Sequence, residues 1–227
     1  MEQGKLRAIV LGATGLVGGH LLKKLLADNR YHEVRVFGRR SVEIDHPRLK
    51  EYIVDLFELD KHQEDFLADE VFVCIGTTKK KTPDKEVYHQ VDYGIPTTAA
   101  RLARKNGIEK FLVVSALGAD ASSRVFYSRT KGQMEEDILS QQLPSTYIFR
   151  PSLITGNREE GRTGEFLAEK LLGVINPLFF GSWKKYRSIE GETIAEAMRL
   201  VAQNGYSKSR IPSDEIQEIV AQSKKGD

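Results

Sequence analysis

Short apolar runs alternate with longer amphipathic stretches along most of this chain. Runs rich in β-branched residues predict six strands, at residues 6–11, 34–37, 51–54, 71–75, 110–115 and 145–149. Apolar positions at helical spacing predict helices at residues 16–28, 85–105 and 127–140. Strands separated by helices in this order favour an α/β fold with a doubly wound parallel sheet and right-handed crossovers.

The alternation stops in the last third of the chain. Residues 157–163 are charged and contain glycine, which predicts a loop, and residues 164–174 have a helical pattern. Thr193 and Glu196 have the spacing of a capping box ahead of a helix that continues to Gln203, and residues 213–222 form a last amphipathic pattern. We therefore predict an α/β core over residues 1–156 and a small helical C-terminal cap over residues 157–227, packed on it within a single domain.

The predicted cap carries three aromatic residues without a clean period, Phe179, Phe180 and Trp183. They fit three interpretations equally well: the lining of a substrate pocket, a plug for the core, or a surface for a partner.

Composition and charge narrow the classes of function. The 227 residues include 34 Lys and Arg against 32 Asp and Glu, a near balance that argues against a dedicated nucleic-acid binder. The single cysteine, Cys74, excludes an internal disulfide, and five scattered histidines show no zinc spacing, so we expect no metal site. No apolar run approaches the length of a membrane span, and the start lacks the apolar core of a secretory signal. A cytoplasmic location is therefore expected.

A glycine-rich segment follows the first predicted strand and opens the first predicted helix. It reads Gly12-Ala13-Thr14-Gly15-Leu16-Val17-Gly18-Gly19. Glycine at 12 suits a tight turn, at 15 a close approach of backbone to phosphate, and at 18 the packing of helix on strand. Free N–H groups of the first helical turn would face the anion. We predict a dinucleotide site here, with contacts from Gly12, Thr14, Gly15, Leu16 and Val17; the alternative is a strand–helix turn without a ligand.

The end of the second strand indicates which dinucleotide is preferred. In NAD-binding folds an acidic residue about 20 positions after the glycine segment holds the ribose 2′-hydroxyl. Here that place is occupied by Arg39 and Arg40, whose guanidiniums suit a 2′-phosphate. We therefore expect NADP(H) to be preferred over NAD(H). The alternative is that the two arginines are only solvent-exposed residues at the end of a strand.

Other cofactor contacts are predicted where later strands end, because ligands of open α/β sheets bind at the carboxyl ends of strands. Asp55 and Leu56 follow the third strand and could lie against the adenine. Gly76, Thr77 and Thr78 follow the fourth strand and could let the backbone pass the dinucleotide.

Tyr127 and Lys131 are four residues apart, which places them on one face of a helix. A nearby ammonium stabilises tyrosinate, so we expect Lys131 to lower the pKa of the Tyr127 phenol. Such a phenol can exchange a proton with a carbonyl or an alcohol during hydride transfer. Ser115 closes the fifth strand twelve positions earlier and could hold the same substrate oxygen.

Together these residues resemble the short-chain dehydrogenase/reductase superfamily, in its atypical branch with a GATGxxG loop, a serine on the fifth strand and a YxxxK helix. The resemblance covers residues 6 to about 156. Several strings further resemble the Tat-interacting-protein oxidoreductases and their bacterial relatives: residues 115–120, Ser122-Ser123, residues 127–132 and Phe149-Arg150-Pro151.

The resemblance implies a Rossmann fold that binds NADP(H), with Ser115, Tyr127 and Lys131 as the catalytic trio. In that scheme Tyr127 is the acid/base, Lys131 tunes it and binds the nicotinamide ribose, and Ser115 orients the carbonyl. The segment from Pro151 to Ile154 lies along the nicotinamide. One position departs from the pattern: Asp92 stands where many members carry an asparagine that supports a proton-relay water.

The leading hypothesis is an NADPH-dependent oxidoreductase that transfers hydride to a small carbonyl or related substrate. The alternative, motivated by Asp92 and the aromatic cap, is a redox-inactive regulatory protein that senses NADPH. A nucleotide-sugar epimerase is less favoured, because about 70 residues after Ile154 leave little room for a sugar-nucleotide domain. Expected partners are a small-molecule substrate, no nucleic acid and no membrane span, with the protein a monomer or weak homodimer.

Overall fold

A parallel sheet of seven strands forms the centre of the molecule. The computed structural model describes residues 5–156 and 187–226. The sheet contains β1 (Leu6–Leu11), β2 (Tyr31–Gly38), β3 (Leu49–Ile53), β4 (Glu70–Val73), β5 (Lys110–Val114), β6 (Ser145–Arg150) and, near the C-terminus, β9 (Arg210–Pro212). Their order is β3-β2-β1-β4-β5-β6-β9, and every neighbouring pair is parallel. The predicted doubly wound α/β sheet is confirmed.

Helices cover both faces of the sheet. The bounds of the longer ones are α1 (Leu16–Ala27), α2 (Lys85–His89), α3 (Ile95–Lys105), α4 (Phe126–Ser140), α5 (Gly191–Asn204) and α6 (Ser213–Gly226). One buried cluster joins α1, α5 and α6 to the sheet, with Leu22 and Met198 inside it. The second joins α3 and α4 to the opposite face, with Phe111 and Ile138 inside it. The apolar strands are therefore buried on both sides, as a parallel sheet requires.

The long helix predicted at residues 85–105 is interrupted. Between α2 and α3 lies a wide π-helical turn, Gln90–Gly94, in which the Ile95 N–H donates to the Gln90 carbonyl. Pro96 stands at the start of α3 and has no N–H to donate to the carbonyl of Asp92, so the regular hydrogen-bond ladder cannot continue there. Such turns are frequent at functional sites, and this one carries Asp92.

The C-terminal residues join the same sheet. Residues 187–226 were placed in the predicted cap, yet β9 pairs with β6 and α5 packs on α1. The capping box predicted at Thr193 and Glu196 is wrong, because α5 begins at Gly191 and Glu190 makes no side-chain cap. The rest of the predicted cap, including the loop, the helix at 164–174, Phe179, Phe180 and Trp183, lies outside the described residues.

A short two-stranded ribbon connects the sheet to α5. It pairs β7 (Ile154–Thr155) with β8 (Ile189–Glu190) in parallel. A 3₁₀ segment, Leu56–His62, follows β3. In the described part of the chain, no helix is both long and apolar enough to cross a membrane.

Candidate functional site

The glycine segment after β1 forms a cradle that side chains would fill. Gly12 has a φ of +85°, and a Cβ there would lie 2.6 Å from the Cys74 carbonyl oxygen. A Cβ at Gly18 would lie 2.1 Å from the Gly12 carbonyl oxygen. Glycine is therefore needed at 12 for the turn and at 18 for α1 to start against that turn.

The N-terminus of α1 is open above this cradle. Gly15 is the N-cap, no side chain caps the helix, and no acidic residue lies in its first turn. The Gly15 N–H donates to the Gly12 carbonyl at 2.9 Å, which closes the turn, while Thr14 and Gly15 are exposed. The uncapped N–H groups and the positive end of the helix dipole fit a pyrophosphate. The residues present therefore fit a dinucleotide.

Two predicted contacts of this segment are packed into the protein. Val17 is buried in the core, so its backbone is what it can offer a ligand. Leu16 is half-buried and packs between Gly156 and Gly191: a Cβ at Gly191 would lie 2.7 Å from Leu16 Cγ. The phosphate cradle is thereby in contact with the start of α5.

The residues predicted around the adenosine lie at the ends of two adjacent strands. Arg39 and Arg40 follow β2 directly and are both exposed. Asp55 follows β3; its Oδ1 accepts from the Phe57 N–H at 3.0 Å and so caps the 3₁₀ segment. Leu56 is buried. Two cations and an exposed carboxylate thus share one edge of the sheet, because β2 and β3 are parallel neighbours.

The segment after β4 connects to α2 and to the π-helical turn. The Thr77 N–H donates to Asp92 Oδ2 at 2.9 Å, and the Tyr88 hydroxyl donates to the Thr77 carbonyl at 3.3 Å. Gly76 and Thr78 on either side are exposed. Asp92 therefore fixes the backbone of the predicted nicotinamide side of the site.

Asp92 also pairs with Lys131. Its Oδ1 lies 2.8 Å from Lys131 Nζ, and the two residues are 1% and 3% exposed. A buried ion pair of this kind fixes the direction in which the ammonium points. Asp92 thus joins the segment after β4 to the helix that carries Tyr127 and Lys131.

Tyr127 lies in the first turn of α4 and is 42% exposed. Partial burial of the phenol and the negative charge of Asp92 raise the pKa of Tyr127 to about 12. The expectation of a lowered pKa is wrong for the structure, because burial of the phenol, the larger cause, and the charge of Asp92 both raise the pKa. At neutral pH the phenol is protonated and is a proton donor.

Gly132 determines how α4 packs. A Cβ at this position would lie 2.1 Å from the Ala121 amide nitrogen, so only glycine allows the helix to approach the loop at 120–121. The Asp120 N–H donates to the Ser128 carbonyl at 3.0 Å across the same contact. The Lys131-Gly132 pair of the motif therefore combines a functional side chain with a close helix–loop contact.

Ser115 follows β5 and points toward a residue that sequence reasoning missed. Its Oγ donates to Glu135 Oε1 at 2.6 Å. Glu135 is fully buried and also accepts from Arg150 Nε at 2.9 Å and from Arg210 Nε at 2.9 Å. A signal was present, since Tyr127, Lys131 and Glu135 follow each other at intervals of four on one helix face.

The segment after β6 contains the last two predicted contacts. Pro151 is buried, and its carbonyl accepts from the Leu117 N–H at 2.9 Å, which joins the segment to the loop after β5. Ile154 is half-buried in the short ribbon opposite Ile189. Within residues 5–156 and 187–226, no group of three or more His, Cys, Asp or Glu is arranged to hold a metal ion.

Comparison with known proteins agrees with a dinucleotide site at this edge of the sheet. The model of the family described as NAD(P)H-binding matches residues 12–172, which is more than half of the chain. The chain belongs to this NAD(P)H-binding family, in the atypical short-chain dehydrogenase/reductase group. It is 31% identical to protein HTATIP2 of Rattus norvegicus over 193 residues, 83% of this chain and 78% of the relative. It is 36% identical to the mitochondrial protein FMP52 of Meyerozyma guilliermondii over 161 residues, 68% of this chain and 67% of the relative.

Solved structures of the same fold include nucleotide-sugar enzymes. The Bordetella bronchiseptica enzyme WbmG in complex with NAD superimposes with a TM-score of 0.69 at 12% identity, over 98% of this chain and 79% of that one. A UDP-glucose 4-epimerase from Thermotoga maritima superimposes with a TM-score of 0.66 at 17% identity, over 95% of this chain and 82% of that one. At these identities the likeness establishes the Rossmann fold of this family member, and not its reaction.

Proposed function

We propose that this protein is an NADPH-dependent oxidoreductase that reduces a small carbonyl or related substrate. The observation that carries the proposal is the exposed, protonated Tyr127, one helical turn from the buried pair of Lys131 and Asp92. The pair is bound through Thr77 to the same sheet edge on which the phosphate cradle opens. Membership of an NAD(P)H-binding family supports a redox role for that edge.

Binding of the dinucleotide is assigned to residues at the ends of four strands. Gly12, Gly15 and the first amides of α1 would receive the pyrophosphate, and Thr77 and Pro151 would border the nicotinamide half. Arg39 and Arg40 favour NADPH over NADH, because guanidiniums that directly follow β2 suit a 2′-phosphate better than the acidic residue that NAD-binding folds carry there. When bound, NADPH supplies the hydride.

The protein supplies the proton. Tyr127 donates its hydroxyl proton to the carbonyl oxygen of the substrate as the carbonyl carbon is reduced, and the tyrosinate oxygen regains a proton from solvent, which reaches this partly exposed residue. The ammonium of Lys131, held by Asp92 at 2.8 Å, is assigned to the nicotinamide ribose.

The reaction is tested by NADPH oxidation against a panel of aldehydes, ketones and quinones, with wild type beside Y127F. Turnover in the wild type and its loss in Y127F are expected. Equal rates in the two proteins would exclude the mechanism.

The cofactor preference is tested separately, by fluorescence titration of NADPH and NADH against R39Q and R40Q. Each substitution should weaken the binding of NADPH by roughly tenfold, the effect of losing one charge-assisted contact. The affinity for NADH should stay unchanged. An equal loss of affinity for NADPH and NADH would show that the arginines do not recognise the 2′-phosphate.

A second candidate is a protein that senses NADPH without turning it over. Burial of the phenol and the charge of Asp92 favour this reading, because together they raise the pKa of Tyr127 to about 12. Tight NADPH binding combined with absence of turnover across the panel would support sensing over catalysis.

We further propose a cytoplasmic protein, monomeric or weakly dimeric, whose partner is a small molecule and not a nucleic acid. Several relatives are named as mitochondrial proteins FMP52, so a mitochondrial location is the competing assignment. Cell fractionation and light scattering of the purified protein test the two statements.

A further inference from the structure

We infer that Glu135 is a positioning residue that sets the direction of the Ser115 hydroxyl. A serine has one proton to donate, and here it is donated to Glu135 Oε1 at 2.6 Å. Ser115 Oγ therefore offers only lone pairs to a bound substrate. The inference rests on the proposed function and deepens it, because it assigns the donated proton to Tyr127 alone.

The charge of Glu135 is maintained by two arginines from different strands. Arg150, the last residue of β6, contacts both carboxylate oxygens through Nε, at 2.9 and 3.1 Å, and Oε2 again through Nη2. Arg210, the first residue of β9, contacts Oε2 through Nε at 2.9 Å. Glu135 is fully buried, the two guanidiniums balance the charge of its carboxylate, and a carboxylate only accepts hydrogen bonds.

The direction of the Ser115–Glu135 hydrogen bond follows from that charge. The serine must be the donor, and turning its proton to a substrate carbonyl would break a short charge-assisted bond inside the protein. Ser115 is thus suited to accept a hydrogen bond from a substrate hydroxyl, such as that of the alcohol product. The carbonyl oxygen receives its hydrogen bond from Tyr127.

Substituting Glu135 with glutamine should reverse this direction. Oε2 accepts from Arg150 and Arg210, so the amide oxygen of a glutamine will take that place. The amide NH₂ then faces Ser115 and donates to Oγ. The serine proton is released and becomes available to the substrate.

The first test compares S115A in two backgrounds, with the carbonyl compound that the wild type reduces fastest. In the wild type, S115A should lower kcat for reduction less than about threefold, because no hydrogen bond to the carbonyl is lost. In E135Q, the same S115A change should lower kcat by more than about tenfold. A purely structural role of Glu135 would not make the effect of S115A depend on residue 135 in this way. A loss above about a hundredfold in the wild type would overturn the inference, as would equal losses in both backgrounds.

Glu215 provides the matched control. It also accepts from a hydroxyl, that of Tyr206 at 2.7 Å, and from a cation, Lys208 at 2.6 Å, but on the surface of α6. E215Q should leave the effect of S115A unchanged.

A second readout needs neither substrate nor cofactor. The hydroxyl proton of Ser115, buried and bound to a carboxylate, should exchange slowly with water and give its own proton resonance. The resonance should be absent in S115A, present in E215Q and lost or displaced in E135Q. A wild-type spectrum without it would overturn the inference even if E135Q does not fold, whereas failure of the proposed function would remove turnover and leave the resonance in place.

Discussion

A tyrosine, a carboxylate and a lysine are grouped at each end of the sheet. At the amino end, Tyr31, Glu70 and Lys110 are the first residues of β2, β4 and β5. At the carboxyl end, Tyr127, Asp92 and Lys131 come from helix α4 and the π-helical turn. Each group contains one phenol, one carboxylate and one ammonium, yet their hydrogen bonds differ.

The amino-end group is closed. The Tyr31 hydroxyl donates to Glu70 Oε2 at 2.6 Å, and Lys110 Nζ donates to Glu70 Oε1 at 3.0 Å and to the Ala202 carbonyl at 2.7 Å. Burial and the neighbouring carboxylate raise the pKa of Tyr31 above its ordinary value. Every polar partner is internal, so the group stabilises the sheet and offers nothing to a ligand.

The carboxyl-end group is open. Asp92 binds Lys131 and the Thr77 N–H, and no residue of the described chain forms a hydrogen bond with the Tyr127 hydroxyl. The phenol is therefore available to a substrate. The two groups share their composition, so what separates the structural group from the one proposed to react is whether the tyrosine hydroxyl is bound inside the protein.

The difference between the two groups is tested most directly by removing the hydroxyl of each tyrosine in turn. Y127F should lower turnover by about 10²–10⁴-fold, the usual contribution of a general acid. Y31F should leave turnover per folded molecule unchanged and cost about 1–3 kcal/mol of unfolding free energy, because Glu70 loses a buried donor. Steady-state kinetics and urea unfolding of both variants decide the matter; matching kinetic losses would remove the distinction.

The next prediction tests whether the open group faces a nucleotide. NADPH at about 100 times its Kd should stabilise the wild type by about 2.7 kcal/mol. G18A should abolish that gain, because its Cβ would meet the Gly12 carbonyl oxygen at 2.1 Å. G19A is the control, since its Cβ would lie 3.3 Å from the Ala13 carbonyl oxygen, a contact that a small shift relieves. Thermal unfolding with and without NADPH measures both, and full stabilisation of G18A would contradict the assignment of the cradle.

Neutralising the closed group should affect stability alone. E70Q should lower the free energy of unfolding by about 1–3 kcal/mol, since Lys110 loses its buried partner and the charge-assisted bond from Tyr31 weakens. E64Q, at an exposed glutamate, should change it by less than about 0.5 kcal/mol. Denaturant unfolding provides the comparison. A lower affinity of E70Q for NADPH would show that the two ends of the sheet are coupled.

The smallest expected effect concerns the pH dependence of the open group. Asp92 raises the pKa of Tyr127, so D92N should move it from about 12 toward the ordinary phenol value of about 10. Reduction needs the protonated phenol, so its rate is maintained below that pKa and lost as the pH rises through it. The alkaline fall in rate should begin at lower pH in D92N.

Tyrosinate absorbance, taken as the difference between D92N and D92N/Y127F, reports the same titration without turnover. An unchanged midpoint would mean that Asp92 does not act on the phenol.

Local patterns in the sequence were sufficient for the first six strands of the sheet and for the glycines of the cradle. Strand β1 has the predicted bounds, because an apolar run between a charged start and a glycine turn leaves little choice. The glycine positions were also predictable, since the need for a missing Cβ at 12 and 18 arises within a few residues.

Long-range contacts were not predictable in this way. Strand β9 has three residues, too few to show a period, and is defined by its pairing with β6. Glu135 and Arg210 are 75 positions apart, and nothing local indicates that they meet. The pKa of Tyr127 was expected to fall because Lys131 was visible at i+4, whereas its partner Asp92 approaches from another helix.

The packing of Leu16 against Gly156 and Gly191 links the start of the chain to residues far along it. The two glycines directly follow β7 and β8, the strands of the short ribbon. A methyl group at either glycine would press on the Leu16 side chain and displace the first turn of α1. The position at which the first helix can begin therefore depends on two small residues that follow it by more than half the length of the chain.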